Sequence, residues 1–358
     1  MKLINKYFYN IFLAISISFI LRLLLLDSYG DHSFENEWGI LFNNLKNSGV
    51  LAYRSFEDNL IPSVYMPPLY VYFIFIVDLI KPEVFNLINS ILVTQILLSS
   101  ISVYYFYKIN LILFNKKLSI ISSYIFILFP LNVYSSIQIS SISLQIFLSI
   151  LFLYLILRVI KDKVDTQKFV LLGIISGMTI LLRGEFILIF IFTLILIFYF
   201  KKIKFLNLVI ILLITSLTIS PYLLRNYMQF EKITLTKSFG YNLWKGNNFD
   251  ATAEGSETVT AFNRDNIDKK IDNLKKDKLY DFHYDEIFLN LSVQSIKQDP
   301  VLFITRYVKK FLTFTFFNLN SNYPNYYNIL NILPLIFLSL FFLLSVILTF
   351  KEKKTINE

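Results

Sequence analysis

Between Leu118 and Leu157 the chain carries no charged residue. One membrane crossing takes about 20 apolar residues, so this stretch is long enough for two spans, turned near Pro130 and Asn132. Composition agrees. Only 16% of residues are charged and 55% are hydrophobic, whereas a soluble domain carries about 25% charged residues. The chain therefore reads as an integral membrane protein. Its net charge of +9 suits Lys and Arg in cytoplasmic loops and does not imply nucleic acid. There is no Cys, which excludes disulfides, thiolate metal sites and Cys nucleophiles. His32 and His283 are the only imidazoles, and their separation argues against a histidine-built zinc site.

Further apolar runs fall at residues 7–26, 83–107, 205–223 and 329–350, beside the pair at 118–137 and 141–157. The run from Phe169 to Phe200 is interrupted by Arg183-Gly-Glu185, and a hairpin with its tip there keeps the flanking basic clusters on one side. Residues 67–80 are apolar apart from Asp78, and at that length they suit an interfacial or re-entrant segment. With that segment lying on the surface, every basic cluster falls inside: Lys2/Lys6, Lys108/Lys116/Lys117, Arg158 to Lys168, Lys201/Lys202/Lys204 and Lys351/Lys353/Lys354.

The positive-inside rule then predicts an all-α polytopic membrane protein of about eight transmembrane helices with both termini cytoplasmic. Its expected parts are a transmembrane catalytic module at 1–223 with a first external loop at 27–81, an external α-rich segment at 224–328, and a last helix with a basic tail at 329–358. The segment at 7–26 has a basic start but no small-residue cleavage site, so it reads as a retained span.

The first loop holds Asp27, Asp31, Glu35 and Glu37, then Trp38, Leu41, Leu45 and Leu51 at a spacing that predicts an amphipathic helix on the membrane. A carboxylate there can serve as a general base, hold a divalent cation through its oxygens, or simply cap the helix. Arg22, Arg54, Arg183 and Arg225 fall toward the same side. Arginine binds phosphate oxygens in bidentate fashion, although Arg22 could equally snorkel, and Arg183 could pair with Glu185. Pro67 and Pro68 stiffen the start of the interfacial segment, and Tyr65, Tyr70 and Tyr72 suit an interfacial aromatic belt. Asp299-Pro300 predicts a helix start, with Asp as cap and Pro at the first position, followed by apolar residues Val301, Ile304, Val308 and Leu312.

These motifs, in order, resemble the GT-C superfold glycosyltransferases, in particular the bacterial branch related to protein O-mannosyltransferases and lipid A aminoarabinose transferases. The resemblance is carried by Glu35-x-x-Trp38 with Asn44-Leu45 and Gly49, by Met66-Pro67-Pro68-Leu69-Tyr70, and by Leu182-Arg183-Gly184-Glu185-Phe186. It is carried furthest by Pro221-Tyr-Leu-Leu-Arg225-Asn226 followed by Gly240-Tyr-Asn-Leu-Trp-Lys-Gly246-Asn247.

The resemblance implies an inverting transfer on the external face, from a polyprenyl-phosphate sugar donor to an envelope glycan, lipid or protein acceptor. It places the enzyme in a bacterial inner membrane with its site facing the periplasm. It implies Glu35 as catalytic carboxylate, with Glu37 and Asp31 as alternatives, and leaves a divalent-cation requirement open. Arg54, Arg183 and Arg225 would contact the donor phosphate. Tyr65, Pro67, Pro68, Tyr70, Asn226, Trp244 and Asn247 would contact substrate. Two residues depart from the family pattern: Met66 stands where relatives carry a basic residue, and Gly184 where they carry Pro. The rival readings are a lipid-linked-sugar binder or transporter and a ligase of the O-antigen type. A transporter would show an internal repeat, and the sequence has none.

Overall fold

A computed structural model describes residues 2–57, 59–161, 165–200, 203–248, 251–255 and 261–356, of which the side chains of 2–10, 261–265 and 351–356 are not described. The basic residues Lys163, Lys201 and Lys202, and the side chains of Lys2, Lys6, Lys351, Lys353 and Lys354, lie outside this description. The chain is 75% helical and forms two compact units, Met1–Thr236 and Lys237–Glu358.

The first unit opens with α1 (Lys2–Tyr29), α2 (Glu37–Ser48), the strands β1 (Ala52–Phe56) and β2 (Asn59–Pro62), α3 (Leu69–Ile80) and α4 (Leu87–Leu113). It continues with α5 (Lys116–Leu128), α6 (Pro130–Ser136), α7 (Ile142–Lys161), α8 (Thr166–Leu182), α9 (Phe186–Tyr199) and α10 (Phe205–Phe230). The second unit holds α11 (Phe239–Asn247), α12 (Ala261–Asp272), α13 (Tyr280–Gln298), α14 (Pro300–Thr315) and α15 (Ile329–Ile356).

Among the described residues, five helices are long and apolar enough to cross a membrane: Ile11–Tyr29, Leu87–Leu113, Ile142–Lys161, Phe205–Phe230 and Ile329–Phe350. The uncharged stretch that opens the sequence argument forms α5 and α6, bent by 56° at their junction, and then α7. Pro130 at the first position of α6 has no amide hydrogen to continue the α5 ladder, and counting the bent pair as one span gives six. The helix at 169–200 breaks at Arg183–Glu185 into α8 and α9, of 17 and 14 residues. Both are shorter than the length a single crossing takes.

Connectivity separates two ends of this unit. Gln138 Nε2, just after α6, donates to the carbonyl of Tyr29 at the end of α1 (2.7 Å). At the other end of α7, Lys161 Nζ donates to the Ile112 carbonyl near the end of α4 (2.7 Å). Lys108, Lys116, Lys117, Arg158, Lys168 and Lys204 accompany Lys161 at that second end. The first loop and the α8–α9 tip occupy the end opposite to them.

Helix α8 packs on α10 through glycine. A Cβ on Gly177 would lie 2.6 Å from Thr218 Cβ, and one on Gly173 would lie 2.8 Å from Ile214 Cβ. The Thr215 hydroxyl donates to the Gly173 carbonyl across the same seam (3.2 Å). Small residues four apart let two helix backbones approach closely where lipid supplies no hydrophobic drive.

Arg22 shows the opposite solution in the α1–α4 seam. The sequence places it near the outer end of a span, able to snorkel. In the structure α1 continues to Tyr29 and Arg22 is fully buried. Its Nη1 donates to the Ser18 carbonyl (3.1 Å) and hydroxyl (2.7 Å), and its Nε donates to Ser99 Oγ (3.1 Å). With these acceptors inside the seam, Arg22 ties α1 to α4 and does not reach the surface.

Candidate active site in the first loop

The loop after α1 is clasped to the α6–α7 connection by four hydrogen bonds. The Asp31 amide donates to the Ile137 carbonyl (3.1 Å) and the Ile139 amide to Asp31 Oδ2 (2.6 Å). Asn36 Nδ2 donates to the Ile139 carbonyl (3.0 Å), and Gln138 supplies the bond to Tyr29 already described. Asn36 also caps α2, its Oδ1 accepting from the amides of Trp38 and Gly39 (both 3.1 Å). A side-chain cap of this kind contributes about 1 kcal/mol.

The predicted amphipathic helix is therefore α2, and it buries Trp38, Leu41 and Phe42. It closes at Gly49, whose φ of 71° is the left-handed conformation that glycine adopts without strain. Trp38 meets Tyr70 edge-on at 4.9 Å. Beneath them one apolar cluster joins α2, α3, the start of α7, the end of α8 and Tyr222 of α10.

Tyr70 is fully buried and donates to Gln95 Oε1 (2.5 Å), while Gln95 Nε2 donates to the Gln138 carbonyl (2.8 Å). Tyr70 thus anchors α3 to α4 and to the clasped connection. Pro68, the residue before α3, is buried, and Pro67 is half-buried. Met66, which takes the place of the expected basic residue, packs against the apolar cluster. Asp78 of α3 pairs with Lys46 of α2 at 2.7 Å.

Between α2 and α3 the chain forms an antiparallel hairpin, β1 with β2, that the sequence does not signal. It carries Arg54, whose guanidinium carbon lies 5.2 Å from the Tyr53 ring and 5.1 Å from the Tyr65 ring. The two rings stack at 5.5 Å. Burial pushes the Tyr53 hydroxyl pKa up, and the Glu37 carboxylate adds to the shift while Arg54 opposes it. Glu37, Tyr53 and Arg54 therefore share one electrostatic neighbourhood.

Arg225 lies within α10, which runs past residue 223 to Phe230. Its guanidinium braces the hairpin from below, donating to the carbonyls of Ser63 (3.1 Å) and Leu51 (3.3 Å) and to Asn226 Oδ1 (2.8 Å). Asn226 is buried and donates to the Thr234 carbonyl (2.6 Å). The Arg-Asn pair is thus a clamp between α10, the hairpin and the turn at 231–236.

Arg183 binds the same α6–α7 connection as Asp31. Its Nη2 donates to Ser141 Oγ (3.2 Å) and its Nε to Gln145 Oε1 (3.1 Å). It does not pair with Glu185, which is exposed. Glu35 and Glu37 are exposed at the start of α2, Asp31 is half-buried in the loop before it, and Arg54 on β1 and Arg183 after α8 are half-buried. Sequence reasoning missed Gln95, Gln138, Ser141 and Gln145. Their signal is polar side chains inside apolar runs, which in membranes mark functional or packed interiors.

Trp244 and Asn247 belong to the second unit. Trp244 is buried against Ile267 and Phe288, with ring centroids 4.8 Å apart for the aromatic pair. Asn247 Nδ2 donates within α11 to the Leu243 carbonyl (2.8 Å). Asp285 of α13 accepts from the Tyr241 amide at the start of α11 (3.1 Å). Burial raises the Asp285 pKa, and the amides of Tyr241 and Gly240 oppose that shift.

Among the described residues no three carboxylate, imidazole or thiol groups gather as a metal cage.

The fold is that of a helical membrane protein with an acidic, arginine-bearing loop at one end of its first unit. Residues 66–223, somewhat under half of the chain, match the family model described as dolichyl-phosphate-mannose-protein mannosyltransferase, a glycosyltransferase family of the GT-C type. The match supports a membrane glycosyltransferase of that type and bears out the resemblance read from the motifs. Neither the curated proteins nor the solved structures give a match.

Proposed function

We propose that the chain transfers a sugar from a polyprenyl-phosphate donor to an envelope acceptor at the outer face of a bacterial inner membrane. The observation that carries this reading is the pairing of the family match, residues 66–223, with a first loop whose Glu35 and Glu37 are exposed and whose Glu37 and Arg54 both act on the Tyr53 hydroxyl. The family implies a lipid-linked sugar donor and a membrane setting. The basic residues at the opposite helix ends support an outward-facing loop under the positive-inside rule.

In the proposed step Glu35 accepts the proton of an acceptor hydroxyl as its oxygen attacks the anomeric carbon. The bond from that carbon to the phosphate oxygen breaks, polyprenyl phosphate leaves with the bonding pair, and the anomeric configuration inverts. The phosphate is already anionic, so no protein acid is needed on the leaving side. Glu35 is preferred because Asp31 already accepts the Ile139 amide at 2.6 Å, which suits it to hold the loop in place. Glu37 stands next in line, beside Tyr53. Arg54 and Arg183 are the cations proposed for the donor phosphate, because Arg225 directs its guanidinium to backbone carbonyls.

The test uses the full chain in proteoliposomes with polyprenyl-phosphate sugars extracted from the native membrane. The expected result is acceptor-dependent release of free polyprenyl phosphate. Turnover of a nucleotide sugar with the lipid-linked donor untouched would overturn the reading.

A further inference from the structure

Helix α14 is built inside out. Asp299 caps it through the Leu302 amide (2.8 Å), as the sequence predicts, yet none of its residues is buried. Val301, Ile304, Val308, Phe311 and Leu312 line one exposed face, at the spacing that makes a continuous stripe along a helix. Two of its three cations, Arg306 and Lys310, turn the other way, while Lys309 is exposed at the edge of the stripe. Arg306 Nη1 donates to the carbonyls of Asn248 (2.7 Å) and Asn247 (3.4 Å), and Lys310 Nζ donates to that of Gly246. Those carbonyls close the C-terminal turn of α11, the negative end of its dipole. A soluble helix would bury the stripe and show the cations to water.

The end of α14 shows what medium covers the stripe. Ser339 Oγ donates to the carbonyl of Phe316 (3.0 Å), and the rings of Phe316 and Phe342 lie 6.3 Å apart. Ser339 and Phe342 belong to the candidate span Ile329–Phe350. Ser339 is ten residues into it, about 15 Å along the axis at 1.5 Å per residue. The residue that closes α14, Phe316, therefore lies against this candidate span. We infer that α14 is a membrane-embedded anchor: its apolar stripe sits in the lipid of the same bilayer that α15 crosses, while Arg306 and Lys310 hold α11 on its protein side. The occupant of the stripe is the acyl region of the bilayer, because the stripe is continuous with a helix that requires it. This inference rests on the second unit alone and is independent of the catalytic reading.

The chain's lack of cysteine makes the test clean. Single variants Ile304→Cys, Val308→Cys and Phe311→Cys, with Lys309→Cys as a polar control, are made in the full chain. They are labelled with a small fluorophore and reconstituted into phosphatidylcholine–phosphatidylglycerol vesicles. Nitroxides on the acyl chains are expected to quench the three stripe positions several-fold more than position 309, and aqueous iodide is expected to show the reverse order. Iodide quenching of the stripe equal to that of position 309 would overturn the inference, because the stripe would then face water. Protection of the stripe from both quenchers would also overturn it, because a second copy or another protein would then be the occupant. Three separate positions guard against one variant that fails to fold.

Discussion

With Glu35 as the proposed base, Glu35→Gln is expected to lower sugar transfer by at least about a hundredfold, the low end of what a general base contributes, with the chain still folded and inserted. Glu35 is exposed at the start of α2, and its side chain is not what closes the loop. The clasp runs through Asp31, Asn36 and Gln138, and the α2 cap is Asn36. The amide therefore removes the proton acceptor and keeps the scaffold. Release of polyprenyl phosphate in proteoliposomes gives the rate, and yield with a thermal profile in detergent gives the folding control. Near-normal turnover in Glu35→Gln, with loss in Glu37→Gln, would move the base one residue pair along the loop. Asp31→Asn should instead loosen the clasp and lower stability along with rate, because the Ile139 amide would lose a charged acceptor.

Gly177→Val disrupts the α8–α10 seam and is the largest structural effect expected. A Cβ at this position would come within 2.6 Å of Thr218 Cβ and 2.7 Å of Thr218 Cγ2, closer than carbon atoms approach without moving the helices. Overpacking of this kind costs about 1–3 kcal/mol and sometimes more, and the added branches of Val place it at the upper end. Because α8 ends one residue before Arg183, a displaced α8 also carries the Arg183 guanidinium away from Ser141 and Gln145. The measurement is thermal aggregation of the full chain in detergent. A midpoint several degrees lower is expected, with Gly177→Ala falling between Val and wild type. An unchanged midpoint for Gly177→Val would mean that the two helices do not meet at this seam.

Local chemistry was the legible part of this protein. The cap-plus-proline at Asp299-Pro300, the heptad-like spacing of Trp38, Leu41 and Leu45, and the break at Arg183–Glu185 each lie within a few residues of the element they define. The clasp between Asp31 and Ile139 joins residues 108 apart, and no local pattern encodes it. The β-hairpin is equally silent. Its strands are short, one ends on Pro62, and its turn uses Glu57 at a φ of 48° where a glycine would have announced it.

The Arg225-Asn226 and Trp244 motifs show a different kind of limit. A motif can be read in sequence, but whether its side chains meet a ligand or a neighbouring backbone depends on packing. In the structure Asn226 bonds the Thr234 carbonyl and Trp244 lies against Phe288. Arg22 belongs to the same class, since only the serines of α4 distinguish a seam from a surface.

The measurement that bears most directly on the account is a paired lipid and glycan profile of the cell envelope in a strain lacking this chain. The account predicts that one sugar modification disappears, that its polyprenyl-phosphate donor accumulates, and that the intact chain restores both while the Glu35→Gln chain restores neither. An unchanged envelope and donor pool in the deletion strain, or full restoration by Glu35→Gln, would contradict it.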